Sequence, residues 1–263
     1  MNETALRKPS GSVISKENMP FEFDGGIARR ARIGFIVLAT DNTLEHELRL
    51  MVRQDGVAFY ETRIFNDADI NPTTLAAMSQ RIEAAASLIL PGIPLNVIGY
   101  GCTSGSVVIG EERVFELIRK ARPDVACTTP ITGAIAGLKA MGCKRIALLT
   151  PYVESVNQML RQYIEQRGIG VPVMGSFNHE NDNEVARISQ ESIRNAVREL
   201  MREPNVDGVF VSCTSLRVAS IVEEMEAEFG RPVTSSNHAM AWHSLRLAGI
   251  NEPIPGFGKL FRV

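Results

Sequence analysis

The sequence predicts an α/β fold of two pseudosymmetric domains, each a four-stranded parallel sheet flanked by helices. From Arg32 onward, apolar runs of strand length alternate with amphipathic stretches of helix length, the pattern of successive βαβ units. Runs such as Ile146-Ala147-Leu148-Leu149 and Val209-Phe210-Val211 are continuously apolar, as strands covered on both faces are. The tripeptide Cys-Thr-Ser occurs at 102–104 and again at 213–215, 111 positions apart, with Val107 and Val218 five residues after each cysteine and Glu112 and Glu223 ten after. A period of that length exceeds the ~20–50 residues of a solenoid unit, so duplication of a whole half-domain is the simpler account.

Residues 1–30 are polar and aperiodic and are expected to form a weakly ordered extension or a strap over the surface. The alternation then predicts strand 32–39, helix 42–52, strand 56–62, helix 74–90, strand 95–99, helix 105–121 and strand 124–128. The second half repeats it with helix 132–141, strand 145–150, helix 154–167, strand 171–176, helix 184–202, strand 207–212, helix 217–228, strand 232–235 and helix 237–248. Right-handed crossovers follow from the handedness of parallel βαβ units. The first domain is expected to comprise 31–130 plus 237–263 and the second 131–236, with the active site in the cleft between them. Ligands of open parallel sheets bind at the carboxyl ends of strands. Those ends carry Thr40-Asp41-Asn42-Thr43, Gly101-Cys102-Thr103-Ser104, Thr128-Thr129, Thr150-Pro151-Tyr152 and Ser212-Cys213-Thr214-Ser215.

Composition bounds the function. With 44% hydrophobic and 22% charged residues and a net charge of −2, the chain of 263 residues has ordinary globular composition and no electrostatic footprint for nucleic acid. Its longest apolar stretch, Ala84 to Tyr100, is interrupted by Ser87, Pro91, Gly92, Pro94 and Asn96, so no membrane span is expected. The first 30 residues lack the apolar region of a secretory signal, and a cytoplasmic location is the expectation. The four cysteines (102, 127, 143, 213) have neither the density nor the spacing of a disulfide framework or zinc site, and the four histidines (46, 179, 238, 243) form no His-x-x-x-His pair. His238 and His243 are expected to serve packing or capping. No Gly-x-Gly-x-x-Gly follows the first strand and no Walker-type Gly-Lys-Ser/Thr occurs, so neither metal nor nucleotide cofactor is expected.

A thiol at a helix N-terminus is expected to have its pKa lowered from about 8.5 toward neutrality by the dipole and the free backbone N–H groups. Cys102 and Cys213 share that predicted position, and the Thr-Ser pair after each supplies donors for a carboxylate or a developing enolate. The alternative is a small buried hydrophobe with Thr-Ser as helix cap. The matched pair favours catalysis. Cys127, before Thr128-Thr129-Pro130, has no cysteine at its mate position near Thr234-Ser235-Ser236 and is expected to be a packing residue, and Cys143 is expected to be incidental.

The chain resembles the aspartate/glutamate racemase superfamily and, within it, the branch of maleate cis-trans isomerases, arylmalonate decarboxylases and ectoine-utilisation proteins. The resemblance covers about residues 31–250 and rests on Arg32-Ile33-Gly34 leading into Asn42-Thr43, Gly101-Cys102-Thr103-Ser104, Arg145-Ile146-Ala147 leading into Thr150-Pro151-Tyr152, Asn181-Asp182-Asn183 and Val211-Ser212-Cys213-Thr214-Ser215. It implies two α/β domains closing on a small carboxylate, with Cys102 and Cys213 as opposed thiols and Asn42, Tyr152 and Asn183 as carboxylate or intermediate contacts. Thr103, Ser104, Thr214 and Ser215 complete the expected binding set. The resemblance implies that decarboxylases of the family keep only the second-half cysteine, so retention of both here favours isomerisation or racemisation. Maleate isomerases have a small hydroxyl residue where this chain has Asp41. If Asp41 faces the site, it suits a substrate carrying a cation beside its carboxylate, such as an amino acid or the cyclic amidinium of an ectoine. Otherwise it caps the helix that follows.

A cofactor-independent isomerase or racemase is thus the expected function. A decarboxylase or C–N lyase on the same scaffold and a hinged carboxylate-binding protein without chemistry are the alternatives. A homodimer or higher homo-oligomer is expected, with the apolar helix face Leu75 to Leu90 as a candidate interface.

Overall fold

The structure is a computed structural model and describes residues 14–179 and 181–263. The first half runs β1 (Ala31–Leu38), α1 (Leu44–Met51), β2 (Val57–Ile64), α2 (Pro72–Ala77), α3 (Ser79–Leu88), β3 (Val97–Tyr100), α4 (Thr103–Ile109), α5 (Glu111–Ala121) and β4 (Ala126–Thr128). The second runs α6 (Pro130–Ala140), β5 (Arg145–Thr150), α7 (Glu154–Glu165), β6 (Gly170–Ser176), α8 (Asp182–Val185), α9 (Gln190–Leu200), β7 (Gly208–Val211), α10 (Val222–Phe229), β8 (Val233–Ser235) and α11 (Ser236–Leu247). Both sheets are parallel and four-stranded, with equivalent orders β2-β1-β3-β4 and β6-β5-β7-β8. The fold class expected from the alternation is the one observed.

Three predicted helices are each split in two. Helix 74–90 breaks at Met78, where the Ser79 hydroxyl donates back to the Ala76 carbonyl at 2.8 Å and competes with the helical ladder. Helix 105–121 breaks at Gly110, whose φ of +90° ends α4 and starts α5. Helix 184–202 gives way to α8 and α9, and Ser189 caps the latter by accepting from the Ser192 amide at 3.1 Å. The expected dimer face is a correction: Leu75, Ile82, Ala85 and Ala86 are buried inside their own half, and Leu88 alone of the large apolar residues there is strongly exposed. Residues 14–30 contain neither helix nor strand, and residues 1–13 of the expected extension lie outside the described residues.

The halves share one continuous apolar core that includes Phe35 and Val37 of β1, Leu148 of β5 and Phe210 of β7. At its centre α6 packs on α11, which is buried along almost its whole length. A Cβ on Gly133 of α6 would lie 2.6 Å from the Ala239 carbonyl oxygen, so these helices touch backbone to backbone. Among the described residues no helix is long and apolar enough to cross a membrane.

Candidate active site

The carboxyl ends of β3 and β7 converge on one cavity. Both strands leave their sheets alike: the Gly101 amide donates to the Ile36 carbonyl and the Ser212 amide to the Leu149 carbonyl, each at 2.8 Å. Cys102 then caps α4, its Sγ accepting from the Gly105 amide at 3.2 Å with the Ser104 hydroxyl 3.9 Å away. Glycine is required at 105, because a Cβ there would come within 2.8 Å of that sulfur.

Cys213 does not repeat this geometry. No α-helix starts beside it; the chain turns, makes a 3-10 turn at Ala219–Ile221 and begins α10 only at Val222. Cys213 itself has φ +134°, a backbone conformation that costs an L-residue free energy and persists only when its surroundings enforce it. The Cys213 amide donates to the Ser236 hydroxyl at 2.9 Å, and that oxygen lies 2.7 Å from the Thr103 hydroxyl, so one serine ties the two cysteine loops together.

The expected lowering of both thiol pKa values is also corrected. Burial pushes the Cys102 thiol up to about 12 despite the Gly105 amide and Ser104 hydroxyl. Burial likewise pushes Cys213 up, with Asp182 adding to the effect. At seven residues, α4 is too short for its dipole to offset desolvation, and Cys213 has no helix behind it.

The cavity is lined by Cys102, Thr103, Ser104, Tyr152, Asp182, Cys213 and Thr214, and on its outer side by Leu38, Ile70, Leu75 and Met78 with Asn66, Asp67 and Asp69. Tyr152 is buried against Cys213 and Ser212, and burial pushes its phenol well above its ordinary value. Asn42 and Asn183 are solvent-exposed and do not line the cavity. In place of Asn183 stands Asp182, one residue earlier, while Asp41, one residue before Asn42, is buried outside the lining. Asp182 Oδ1 accepts from the Ser215 hydroxyl at 2.7 Å and its Oδ2 from the Thr40 hydroxyl, whose oxygen in turn accepts from the Asn66 amide. Ser215 therefore lies behind the cavity, holding Asp182. Of the two roles considered for it, Asp41 takes the capping one: Oδ1 caps the turn into α1 by accepting from the Thr43 and Leu44 amides at 2.8 Å, while Oδ2 is buried with no hydrogen-bond partner and the side chain does not line the cavity. Burial raises the Asp41 pKa. Among the described residues, no lysine, arginine or histidine lines the cavity.

Cys127 and Cys143 sit in the apolar cores, away from the cavity. His238 and His243 make hydrogen bonds within the fold, to Thr234 and the Phe257 carbonyl and to Thr128 respectively. Sequence reasoning missed Asp182, Asn66, Ser236, Asn237 and Glu47. Asp182 lies within Asn181-Asp182-Asn183, and Ser236 at the polar strand end that has no cysteine. Glu47 and Asn237 carried no signal. The cavity is about 20 Å³, room for about one water.

A family model described as arylmalonate decarboxylase matches residues 43–261. A maleate isomerase of Nocardia farcinica is 29% identical over 88% of this chain and 95% of its own length. The arylmalonate decarboxylase of Bordetella bronchiseptica is 33% identical over 51% of this chain and 57% of its own. A structure of the Nocardia farcinica maleate cis-trans isomerase, a cysteine-to-serine variant holding a covalently bound succinylcysteine intermediate, superposes with a TM-score of 0.80 at 27% identity, covering 88% of this chain and 98% of that one.

Proposed function

Because the chain belongs to the arylmalonate decarboxylase family, we propose that it is a cofactor-independent isomerase or racemase of a small carboxylate, with Cys102 and Cys213 as the reacting thiols. The observation that carries this reading is the convergence of both thiols, from equivalent strand ends of two equivalent sheets, on one cavity lined by hydroxyl groups. The succinylcysteine of the structural relative supports covalent thiol chemistry on this scaffold.

Two routes fit that arrangement. In cis-trans isomerisation one thiolate adds to an activated double bond, the resulting single bond rotates, and elimination restores alkene and thiolate while the second thiol handles the proton. In racemisation one thiolate removes the proton α to the carboxylate and the opposite thiol delivers another, so both end in their starting states after a turnover in each direction. The hydroxyls of Thr103, Ser104, Thr214 and Tyr152 are the donors available to the carboxylate and the developing negative charge. Burial holds both thiols high, so each route needs substrate to favour the thiolate.

A cation on the substrate does that. Asp182 lines the cavity, Asp41 is buried with an unpartnered oxygen close behind it, and both disfavour the thiolate by like charge. A dicarboxylate would add negative charge to a site without a basic side chain. An ammonium or amidinium group beside the substrate carboxylate, as in an amino acid or an ectoine, reverses the local field. The four unpaired thiols suit a reducing compartment, and a cytoplasmic location goes with this reading.

Proton NMR in deuterated buffer with maleate, aspartate, glutamate, hydantoins and ectoines tests it. Deuterium incorporation or isomer conversion that disappears in Cys102→Ala or Cys213→Ala is the expected result. Release of carbon dioxide would instead favour a decarboxylase, the second reading, which the family model's own description supports. Silence across the panel, with both cysteines unreactive to alkylation, would leave a carboxylate-binding protein.

A further inference from the structure

The loop carrying Cys213 is held from the opposite half by a carboxylate. Glu47, on α1 of the first half, is fully enclosed. Its Oε1 accepts from the Val218 amide at 2.6 Å and the Ala219 amide at 2.7 Å. Its Oε2 accepts from Asn237 Nδ2 at 2.8 Å, and the same Nδ2 donates to the Thr214 carbonyl at 2.7 Å. Thr43, just before α1, donates its hydroxyl to the Ser215 carbonyl at 3.0 Å. The backbone from 214 to 219 is therefore fixed at four points by residues outside it, next to a cysteine held at φ +134°.

We propose that Glu47, acting through Asn237, is a positioning residue for Cys213, and that its carboxylate must be ionised to hold the loop. The polarity of the contacts sets that requirement. Asn237 Nδ2 faces both Glu47 Oε2 and the Thr214 carbonyl, while Asn237 Oδ1 is buried without a partner. A proton on Oε2 would place a donor against a donor. The Asn237 amide would then rotate, present its unpartnered Oδ1 to the new hydroxyl, and release the Thr214 carbonyl one residue after Cys213. Burial raises the Glu47 pKa to about 7, with Asp41 the charged group facing it, so the exchange falls near neutrality.

Alkylation of the two thiols reads this device whatever the substrate is. The Cys102 and Cys213 thiols both titrate far above the window of interest, so between pH 5.5 and 8.5 the ratio of their iodoacetamide rates, mapped by mass spectrometry, is otherwise flat. We expect the ratio of Cys213 to Cys102 to rise at least about fivefold as pH falls through 7, because a released loop exposes its cysteine. Glu47→Gln keeps the Oε1 acceptor and sets a permanent donor toward Asn237, so it should show the raised ratio at every pH. Asn237→Ala should do the same, whereas Thr43→Val, which loosens the loop elsewhere and leaves Glu47 and Asn237 in place, should raise the ratio while keeping its pH dependence. A flat wild-type ratio, or a Glu47→Gln protein that keeps the wild-type profile, overturns the proposal. Absence of turnover across the substrate panel does not by itself alter this ratio or its pH profile, so the two readings are separable.

Discussion

Cys102 and Cys213 occupy equivalent strand ends but unlike surroundings: one caps a helix in relaxed extended backbone, the other sits in a strained turn held by Ser236, Asn237 and Glu47. Two thiols in different settings are suited to different parts of one reaction. Each single change, Cys102→Ala or Cys213→Ala, should therefore lower kcat/KM by about 10³-fold or more, and the double variant should be scarcely worse, because residues acting as a unit are not additive. Independent, multiplicative losses in steady-state assays would count against a thiol pair. The aspartates make a separate prediction. Asp182→Asn should weaken turnover of a cationic carboxylate by ~10–100-fold and improve whatever turnover of maleate exists, since one full charge near the substrate is exchanged for a neutral amide. An unchanged ratio between the two substrates would mean that the carboxyl group serves as a neutral hydrogen-bonding group. At this scale the sequence was legible where a motif repeats and illegible where function rests on a partner distant in the chain. The Cys-Thr-Ser copies were visible, but Asn42 and Asn183 were each one residue from the side chain that turns inward, a distinction that backbone direction makes and spacing does not.

The inner strands β1, β3, β5 and β7 were readable from apolar runs, because a strand enclosed on both faces must be largely apolar, whereas the edge strands β2 and β6 are half-exposed. Helix interruptions were not, because Ser79 and Ser189 act through local hydrogen bonds that leave the hydrophobic period intact. The region after Cys213 shows the same limit: duplication repeats the strand and its polar end, while the following helix starts later, at Val222. The backbone contact between α6 and α11 makes the element-scale prediction. Gly133→Ala places a methyl against the Ala239 and Met240 backbone, which cannot turn aside, and should cost about 1–3 kcal/mol, a Tm decrease of roughly 2–10 °C. Gly137→Ala meets only the Leu260 side chain, which can rotate, and should cost less. Equal urea midpoints for the two variants would show that the helices do not approach each other as described. Since α11 also packs on α1 and β3 of the first half, the Gly133 variant should also lose activity before it unfolds.

Across the whole molecule, two enclosed groups drive stability in opposite directions over the same pH range. Glu47 has its pKa raised from 4.5 to about 7 by burial, so the folded state binds its proton more tightly than the unfolded chain does. Its contribution is fully present below about pH 4.5 and is lost as pH rises toward 7, a change of about 3 kcal/mol. His238 has its pKa lowered from 6.5 to about 4 by burial, so the unfolded chain takes up the proton first. Its contribution is fully present above 6.5 and is lost as pH falls toward 4, again about 3 kcal/mol. Between pH 4.5 and 6.5 the two slopes nearly cancel, and wild-type stability from these groups should be almost level. Glu47→Gln removes one slope without removing the other, so chemical denaturation of that variant should show stability climbing with pH across this interval, by up to about 3 kcal/mol. A variant as level as the wild type would mean that His238 is not held neutral by its enclosure. Glu47 itself changes charge near pH 7, just above that level interval, and with it the grip on the Cys213 loop.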